Sequence, residues 1–198
     1  VTAAGGGGAD APPVPPGVVR VRPLLVLDLN GLLCRRIRGA AGGLGSGSAY
    51  REATAIVAGT PVVPRPHVLR FLSALARSFA LAVWTSAQKD TAEKLVEHLI
   101  PTQVRASLLF VWSQSQCLKE HHLGVALPVL TKPLTKVWEA YPLWSPDNTL
   151  IVDDSTEKCA AHPRNALHPW SVDGLEGPAD EEAAEREAAF FGRLAAHC

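Results

Sequence analysis

Four short runs of apolar residues, each with polar side chains after it, constrain the fold of this chain more than any other feature. They predict strands over residues 24–27, 80–84, 108–112 and 149–152. Continuous apolar runs of this length are typical of strands that are buried on both faces of a parallel sheet. Amphipathic helical patterns over residues 68–79 and 92–99 lie between the first three runs. Strands that alternate with helices indicate βαβ units, so the sequence predicts an α/β fold with a parallel sheet and flanking helices.

The composition fits a packed domain. Hydrophobic residues make up 47% of the chain and charged residues 19%, which excludes a fully disordered protein. No apolar run reaches the ~18 residues that a membrane span needs. The four cysteines show no Cys-x-x-Cys spacing, which argues against a zinc knuckle or a dense disulfide framework and favours a reducing, intracellular compartment.

The charges balance over the whole chain but are unevenly distributed. Residues 1–80 carry 9 basic and 3 acidic side chains, whereas residues 81–198 carry 10 and 16. The first part could attract an anionic partner, but the neutral whole argues against general nucleic-acid binding. Because the chain contains no methionine, we expect it to be trimmed, processed or a fragment. A nuclear or cytosolic location and a processed organellar one both stay open.

Composition also predicts the domain organisation. Residues 1–17 are rich in Gly and Pro and read as a flexible arm. Residues 18–175 form the predicted domain, with a Gly-rich insertion at about residues 39–48, and residues 176–198 form a predicted C-terminal helix with an acidic start. The stretch 34–64 has no sustained periodicity and is predicted as a long loop.

Groups suited to phosphate chemistry follow the predicted strands. Six such residues lie after the strands or between them: Asp28, Asn30, Thr85, Lys132, Asp153 and Asp154. Ligands of open α/β sheets bind at the carboxyl ends of the strands. There a carboxylate can attack phosphorus, a hard Mg²⁺ ion finds oxygen ligands, and an ammonium or hydroxyl group can stabilise the transferring phosphoryl group. The pattern therefore indicates phosphoryl transfer.

Four segments in order resemble the motifs of the haloacid-dehalogenase (HAD) superfamily. More narrowly, they resemble its CTD-phosphatase-like branch, the NLI-interacting-factor homology domain. The matching segments, between about residues 23 and 169, are LLVLDLNGLL, LAVWTSA, TKPLTKVW and LIVDDSTEK. The Asp-Leu-Asn-Gly-Leu-Leu variant is most similar to a plant and algal subgroup. The resemblance implies a HAD-type Rossmann-like sheet and a Mg²⁺-dependent phosphatase of phosphoserine or phosphothreonine in proteins, which works through an aspartyl-phosphate.

The resemblance also implies a role for each residue. Asp28 matches the nucleophile, and Asn30 occupies the position of the general acid/base aspartate. Thr85 matches the hydroxyl that binds the phosphoryl group, and Lys132 matches the lysine that stabilises its charge. The implied ligands of Mg²⁺ are Asp28, Asp153, Asp154 and the backbone carbonyl of Asn30.

Two residues depart from the family pattern; the second affects only local geometry, and the first, together with the Gly/Pro-rich arm, supports an alternative function. Asn30 cannot donate or accept a proton as a carboxylic acid can, and Pro133 replaces an acidic residue beside the lysine. Domains of this branch also serve as protein-binding subunits, as in the mitochondrial inner-membrane presequence receptor. A catalytically silent binding or scaffold subunit of a larger assembly is therefore the alternative. The sequence has no large cap insertion, and the open site expected from this suits a phosphoprotein or protein partner in either case.

Two basic features near these motifs have alternative interpretations. Lys136 competes with Lys132 for the lysine position, although Lys132 fits the motif better and Lys136 suits a solvated helix face. Arg35, Arg36 and Arg38 follow the first strand closely. They could bind a phosphorylated or acidic partner, or they could form a solubilising loop.

We expect residues 1–17 to be dispensable for folding, because they offer little apolar surface to bury. A chain that starts at Val18 should therefore unfold at the same Tm as the full chain in a thermal melt. A Tm lower by several degrees would show that the arm packs on the domain.

Overall fold

The structure is a computed structural model that describes residues 21–37, 53–121 and 128–172. The predicted arm (1–17), the Gly-rich insertion (39–48) and the C-terminal helix (176–198) lie outside these ranges, as does Arg38. The described residues form a five-stranded parallel sheet with helices packed against it. The predicted α/β class is therefore confirmed.

The described part of the chain contains ten strands, four α-helices and three short 3-10 helices. The strands are β1 (Leu24–Leu27), β2 (Cys34–Arg36), β3 (Ala55–Val57), β4 (Thr60–Pro64), β5 (Ala80–Trp84), β6 (Val111–Trp112), β7 (Leu118–Glu120), β8 (Val129–Thr131), β9 (Thr149–Val152) and β10 (Ala166–Leu167). The α-helices are α1 (Val68–Ser78), α2 (Lys89–Leu99), α3 (Thr102–Arg105) and α4 (Thr135–Ala140), and the 3-10 helices are Gln114–Gln116, Thr156–Cys159 and Pro163–Asn165. Among these helices, none combines the length and the apolarity needed to cross a bilayer.

The main sheet is built around β1. Its strand order is β10-β9-β1-β5-β6, and every pair is parallel. Leu24 is level with Ala80 of β5 on one side and with Thr149 of β9 on the other. Neighbouring side chains of a strand point to opposite faces. Accordingly, Leu27 belongs to a core cluster with α1 and α2, and Val26 belongs to a second cluster with α4.

The two predicted helices are present as α1 and α2. Each buries the apolar residues that repeat at helical spacing: Val68, Phe71, Leu72 and Leu75 in α1, and Ala92, Leu95, Val96 and Leu99 in α2. The third predicted strand is shorter than residues 108–112, since β6 begins at Val111. The residues before it still lie along β5, because the Leu109 N–H donates to the Leu81 carbonyl at 2.8 Å.

The prediction of a long loop over residues 34–64 is wrong for its described part. Strands β2, β4 and β3 form a small antiparallel sheet there. The turn between β3 and β4 consists of Ala58 and Gly59, which both have positive φ angles (48° and 71°). Positive φ at both central residues is the geometry of a tight hairpin turn whose twist matches that of the flanking strands. A second hairpin, β7–β8, leads directly to Lys132.

Leu72 and Leu69 on α1 offer a matched test of the predicted core. The Leu72 side chain is fully buried, whereas Leu69 is 56% exposed on the same helix. We expect Leu72→Ala to lower the free energy of unfolding by about 2–5 kcal/mol through lost burial and a residual cavity. Leu69→Ala should change it by about 0.5 kcal/mol or less. Urea titrations of both variants measure the difference, and equal losses would contradict the assigned helix face.

Candidate functional site

The candidate site lies where β1, β5 and β9 end. Asp28 directly follows β1 and Asp153 directly follows β9, so the register of these neighbouring strands places the two acids side by side. The Asp28 N–H donates to the Val152 carbonyl at 2.9 Å, and the Asp153 N–H donates to the Leu167 carbonyl at 3.1 Å. Both backbones are thereby fixed by the sheet itself. The two acids are almost completely buried.

Lys132 is paired with both buried acids. Its Nζ lies 3.0 Å from Asp28 Oδ1 and 2.6 Å from Asp153 Oδ2, and all three side chains are excluded from solvent. Burial by itself lowers the pKa of Lys132, but the carboxylates of Asp28 and Asp153 raise it by more, so the pKa lies above the ordinary lysine value. The lysine therefore stays charged, which removes most of the cost of burying two carboxylates.

A second lysine, Lys158, reaches the same acids and was missed by the sequence analysis. Its Nζ lies 3.5 Å from Asp28 Oδ2 and 3.5 Å from Asp153 Oδ1. The Lys132 N–H donates to the Lys158 carbonyl at 2.7 Å, so the two lysines also have linked backbones. Burial opposes a charged Lys158, but the facing carboxylates raise its pKa above the ordinary value. The sequence offered one signal for Lys158, its position five residues after Asp153. That position does not by itself point the side chain at the acids, and the 3-10 turn at Thr156–Cys159 is what directs it there.

The third acid, Asp154, lies against the turn that follows β1. Carboxylate oxygens of Asp28, Asp153 and Asp154 all lie within 4.8 Å of one another. Asp154 Oδ1 is buried and has no hydrogen-bond partner among the described residues. A buried carboxylate oxygen needs a donor or a cation. The three residues therefore fit a divalent cation such as Mg²⁺, which prefers carboxylate ligands.

Gly31 makes room for Asp154. Its φ of +83° lies in the left-handed region, and a Cβ built at this position would overlap the Asp154 carboxylate. Only glycine combines that backbone angle with such a close approach. Asn30 precedes it and forms an isolated bridge with Cys34, which places the amide in the turn after Asp28 rather than on a strand.

Thr85 follows β5, on the other side of β1 from Asp153. Its side chain is buried, and its Oγ1 accepts a hydrogen bond from the Ala87 N–H at 3.2 Å. A hydroxyl group that accepts one hydrogen bond still has its own hydrogen to donate. Thr85 can therefore present a donor at the same edge of the sheet as the acids.

Arg65 holds the turn in place. Its guanidinium donates to the carbonyls of Gly31 (3.3 Å), Leu32 and Trp170. The Val172 N–H donates to the Gly31 carbonyl as well, at 2.8 Å. These contacts fasten the turn after Asp28 to the last described segment of the chain, and they identify Arg65 as a structural part of the site.

The other basic candidates belong to other elements of the fold. Lys136 donates from Nζ to the Gln116 carbonyl at 2.6 Å, so it is half-buried and is not the solvated helix residue that the sequence suggested. Arg35 and Arg36 belong to β2, and Arg36 donates to the Val57 carbonyl at 3.4 Å, across the small sheet. Of the two competing lysines, Lys132 is the one that pairs with the acids.

Two buried cysteines near the site stay protonated. Burial raises the pKa of Cys159 to about 12, and the negative charge of Asp153 contributes. Burial likewise raises the pKa of Cys117. A thiol is a poor nucleophile unless it is ionised, so carboxylate chemistry at Asp28 has no competitor from these groups.

Comparison with known proteins places the site in a family context. The family model described as NLI interacting factor-like phosphatase matches residues 23–184 of the chain. An uncharacterised FCP1 homology domain-containing protein of Schizosaccharomyces pombe is 30% identical over 160 residues, which cover 76% of this chain and 62% of that protein. The chain thus spans less than two thirds of the length of this relative.

Two solved structures of the fission yeast RNA polymerase II CTD phosphatase Fcp1 are also similar, one of them a variant bound to beryllium fluoride. Each has a TM-score of 0.55, with sequence identities of 14% and 16%. The matches cover 89% of this chain and 52% and 51% of the two Fcp1 chains. At these identities the likeness shows a shared fold.

Gly31 and Gly59 allow a matched test of the turn. Both have positive φ, but a Cβ at Gly59 would meet nothing within 4 Å. Gly59→Ala should therefore cost only about 1–2 kcal/mol of backbone strain. We expect Gly31→Ala to lower the free energy of unfolding by more than this, because it also displaces the Asp154 carboxylate. Chemical denaturation measures both, and equal losses would contradict the close approach of Gly31 and Asp154.

Proposed function

The chain belongs to the family of NLI interacting factor-like phosphatases, and we propose that it is a phosphatase that removes phosphate from phosphoserine or phosphothreonine of proteins. One observation carries the proposal. The Asp28 carboxylate is held at the end of a central strand, between a buried lysine and two further carboxylates. A nucleophile for phosphorus needs this combination of a fixed position and nearby positive charge.

In the proposed reaction, a carboxylate oxygen of Asp28 attacks phosphorus and the bond from phosphorus to the seryl or threonyl oxygen breaks. The product is an aspartyl-phosphate, and the leaving oxygen takes a proton from solvent. Water then attacks the phosphorus of this intermediate, which releases phosphate and regenerates the carboxylate. The sheet hydrogen bond from the Asp28 N–H to Val152 keeps the nucleophile in place during both steps.

The remaining site residues stabilise the negative charge of the phosphoryl group during transfer. Lys132 remains protonated against Asp28 and Asp153, so it can offset negative charge on the transferring group. Thr85 can donate its hydroxyl hydrogen to a phosphoryl oxygen. Asp28, Asp153, Asp154 and the carbonyl of Asn30 would hold Mg²⁺, which supplies further positive charge to the phosphate when it is bound.

The sequence has no large cap insertion, so we expect an open site. An open site favours a polypeptide substrate. The described residues consist of the main sheet, its helices and two small antiparallel sheets, with no separate cap domain among them. Fcp1, which shares the fold, is named as a phosphatase of the RNA polymerase II CTD. For this chain we propose the same class of substrate, a phosphorylated segment of a protein, and not the same partner.

Asn30 favours a second candidate function. In the phosphatases that the sequence resembles, an acid at this position protonates the leaving oxygen and activates water. An amide does neither, and general acid–base help is typically worth ~10²–10⁴ in rate. The chain could therefore bind a phosphoprotein or another protein without turning it over, as a subunit of a larger assembly.

Three variants distinguish the two functions. We expect the parent chain with Mg²⁺ to hydrolyse an aryl phosphate, whose good leaving group needs little protonation, faster than a phosphopeptide. Asn30→Asp should raise phosphopeptide turnover by ~10²-fold or more, because it restores an acid of nearly the same shape. Asp28→Asn, which is equally conservative, should abolish activity in either background.

The outcomes of these assays are separable. Activity of the parent that is lost in Asp28→Asn supports the phosphatase. Activity that occurs only in Asn30→Asp supports the silent binding subunit. Absence of activity in all variants, with folding verified by circular dichroism, would refute the proposed phosphatase.

A further inference from the structure

Lys158 and Lys132 contact the same two acids through different oxygens. Lys132 faces Asp28 Oδ1 and Asp153 Oδ2, whereas Lys158 faces Asp28 Oδ2 and Asp153 Oδ1. Each carboxylate therefore has one ammonium group on each of its oxygens. Between them the two lysines occupy the four carboxylate oxygens at the ends of β1 and β9.

The contacts of the two lysines differ in strength. Lys132 approaches to 2.6 and 3.0 Å and its side chain is completely buried. Lys158 stays at 3.5 Å from both acids and its side chain is 18% exposed. It also stands on a short 3-10 turn rather than at the end of a strand. Lys158 can thus move toward solvent while Lys132 stays against both acids.

Lys158 uses the carboxylates that a divalent cation would use. The candidate metal ligands are Asp28, Asp153 and Asp154, and these are also the three acids whose charge acts on Lys158. Three carboxylates and two ammonium groups leave one net negative charge in the cluster. A dication added to an unchanged cluster would bring its charge to +1, with two like charges against the same oxygens.

We propose that Lys158 is a built-in counter-ion that takes the place of Mg²⁺ in the metal-free protein and withdraws toward solvent when the metal binds. This inference rests on the metal site of the proposed function. Before the metal binds, Lys158 thereby forms ion pairs with Asp28 and Asp153 and stabilises the folded site. Because it competes for the same carboxylates, it also lowers the affinity of the site for Mg²⁺. Lys132, in contrast, keeps its contacts in both states.

Isothermal titration of Mg²⁺ into the full chain tests this competition. We expect Lys158→Met to bind Mg²⁺ about tenfold more tightly than the parent, a change of about 1.4 kcal/mol, because the competing cation is gone. The same variant should have a lower Tm than the parent without metal and gain more from saturating Mg²⁺. Lys136→Met is the matched control, since it removes the same charge from a lysine that contacts the Gln116 carbonyl and not the acids.

The titrations separate this inference from the proposed function. Tighter binding in Lys158→Met but not in Lys136→Met supports the competition. Equal tightening in both variants, or none in Lys158→Met, would overturn it while the metal site itself stands. Absence of Mg²⁺ binding in the parent and in every variant would overturn both the competition and the metal part of the proposed function. The variant Asp153→Asn identifies the binding site, because it lacks one of the proposed ligands and should no longer bind Mg²⁺.

If Lys158→Met fails to fold, an NMR measurement on the Lys158 side chain of the parent protein tests the same proposal. In the parent labelled with ¹³C at lysine Cε, the Lys158 signal is assigned from its loss in Lys158→Arg. On addition of Mg²⁺ this signal should shift toward that of a solvated lysine, while the Lys136 signal stays in place. A Lys158 signal that does not change at saturating Mg²⁺ would refute the withdrawal.

Discussion

The pairing of Lys132 with Asp28 and Asp153 is the interaction on which the site depends. A parallel sheet brings the carboxyl ends of its strands to one edge, and here two neighbouring strands both end in an acid. Two buried carboxylates side by side repel each other and lose their hydration. A completely buried ammonium at 2.6 and 3.0 Å offsets that repulsion, so the same residue that stabilises the edge of the sheet also lies against the nucleophile.

Around this pairing, the turn after β1 has little freedom. Gly31 brings the backbone against Asp154, and the Arg65 guanidinium donates to the carbonyls of Gly31 and Leu32 in that turn. Asn30 lies within the same turn. The backbone of the turn is thus held by neighbouring residues, which is why the exchange of Asn30 for Asp, a side chain of nearly the same shape, tests function.

Sequence reasoning succeeded for the elements whose burial leaves a clear apolar pattern in the sequence. The strands β1, β5 and β9 and the buried faces of α1 and α2 follow from continuous or periodic apolar residues. It failed for β2, β3 and β4, which are about as short as β1 and β9 but only partly buried, so that no continuous apolar run marks them. Pro61 and Pro64, the second and last residues of β4, also argue against a strand, and an Ala58-Gly59 turn is not a strong hairpin signal.

The candidate site shows the same division. Motif order pointed to Asp28, Lys132, Asp153 and Asp154, and the structure brings these four together, while their roles remain proposals. Lys158 and Arg65 were not found, because their contribution depends on where a flexible side chain reaches in three dimensions. Arg65 contacts Gly31, which lies 34 positions earlier, and Lys158 contacts Asp28 at the start of the domain. No local pattern encodes such a reach.

The central position of β1 has a consequence for how the chain is made. Leu24 must pair with Thr149, which follows about 125 residues later in synthesis. At the usual elongation rates of about 5–20 residues per second, this corresponds to roughly 6–25 s during which one edge of a fully apolar strand has no partner. Unpaired apolar edges invite association with other chains. The strand that precedes the nucleophile is therefore exposed to such association until β9 emerges.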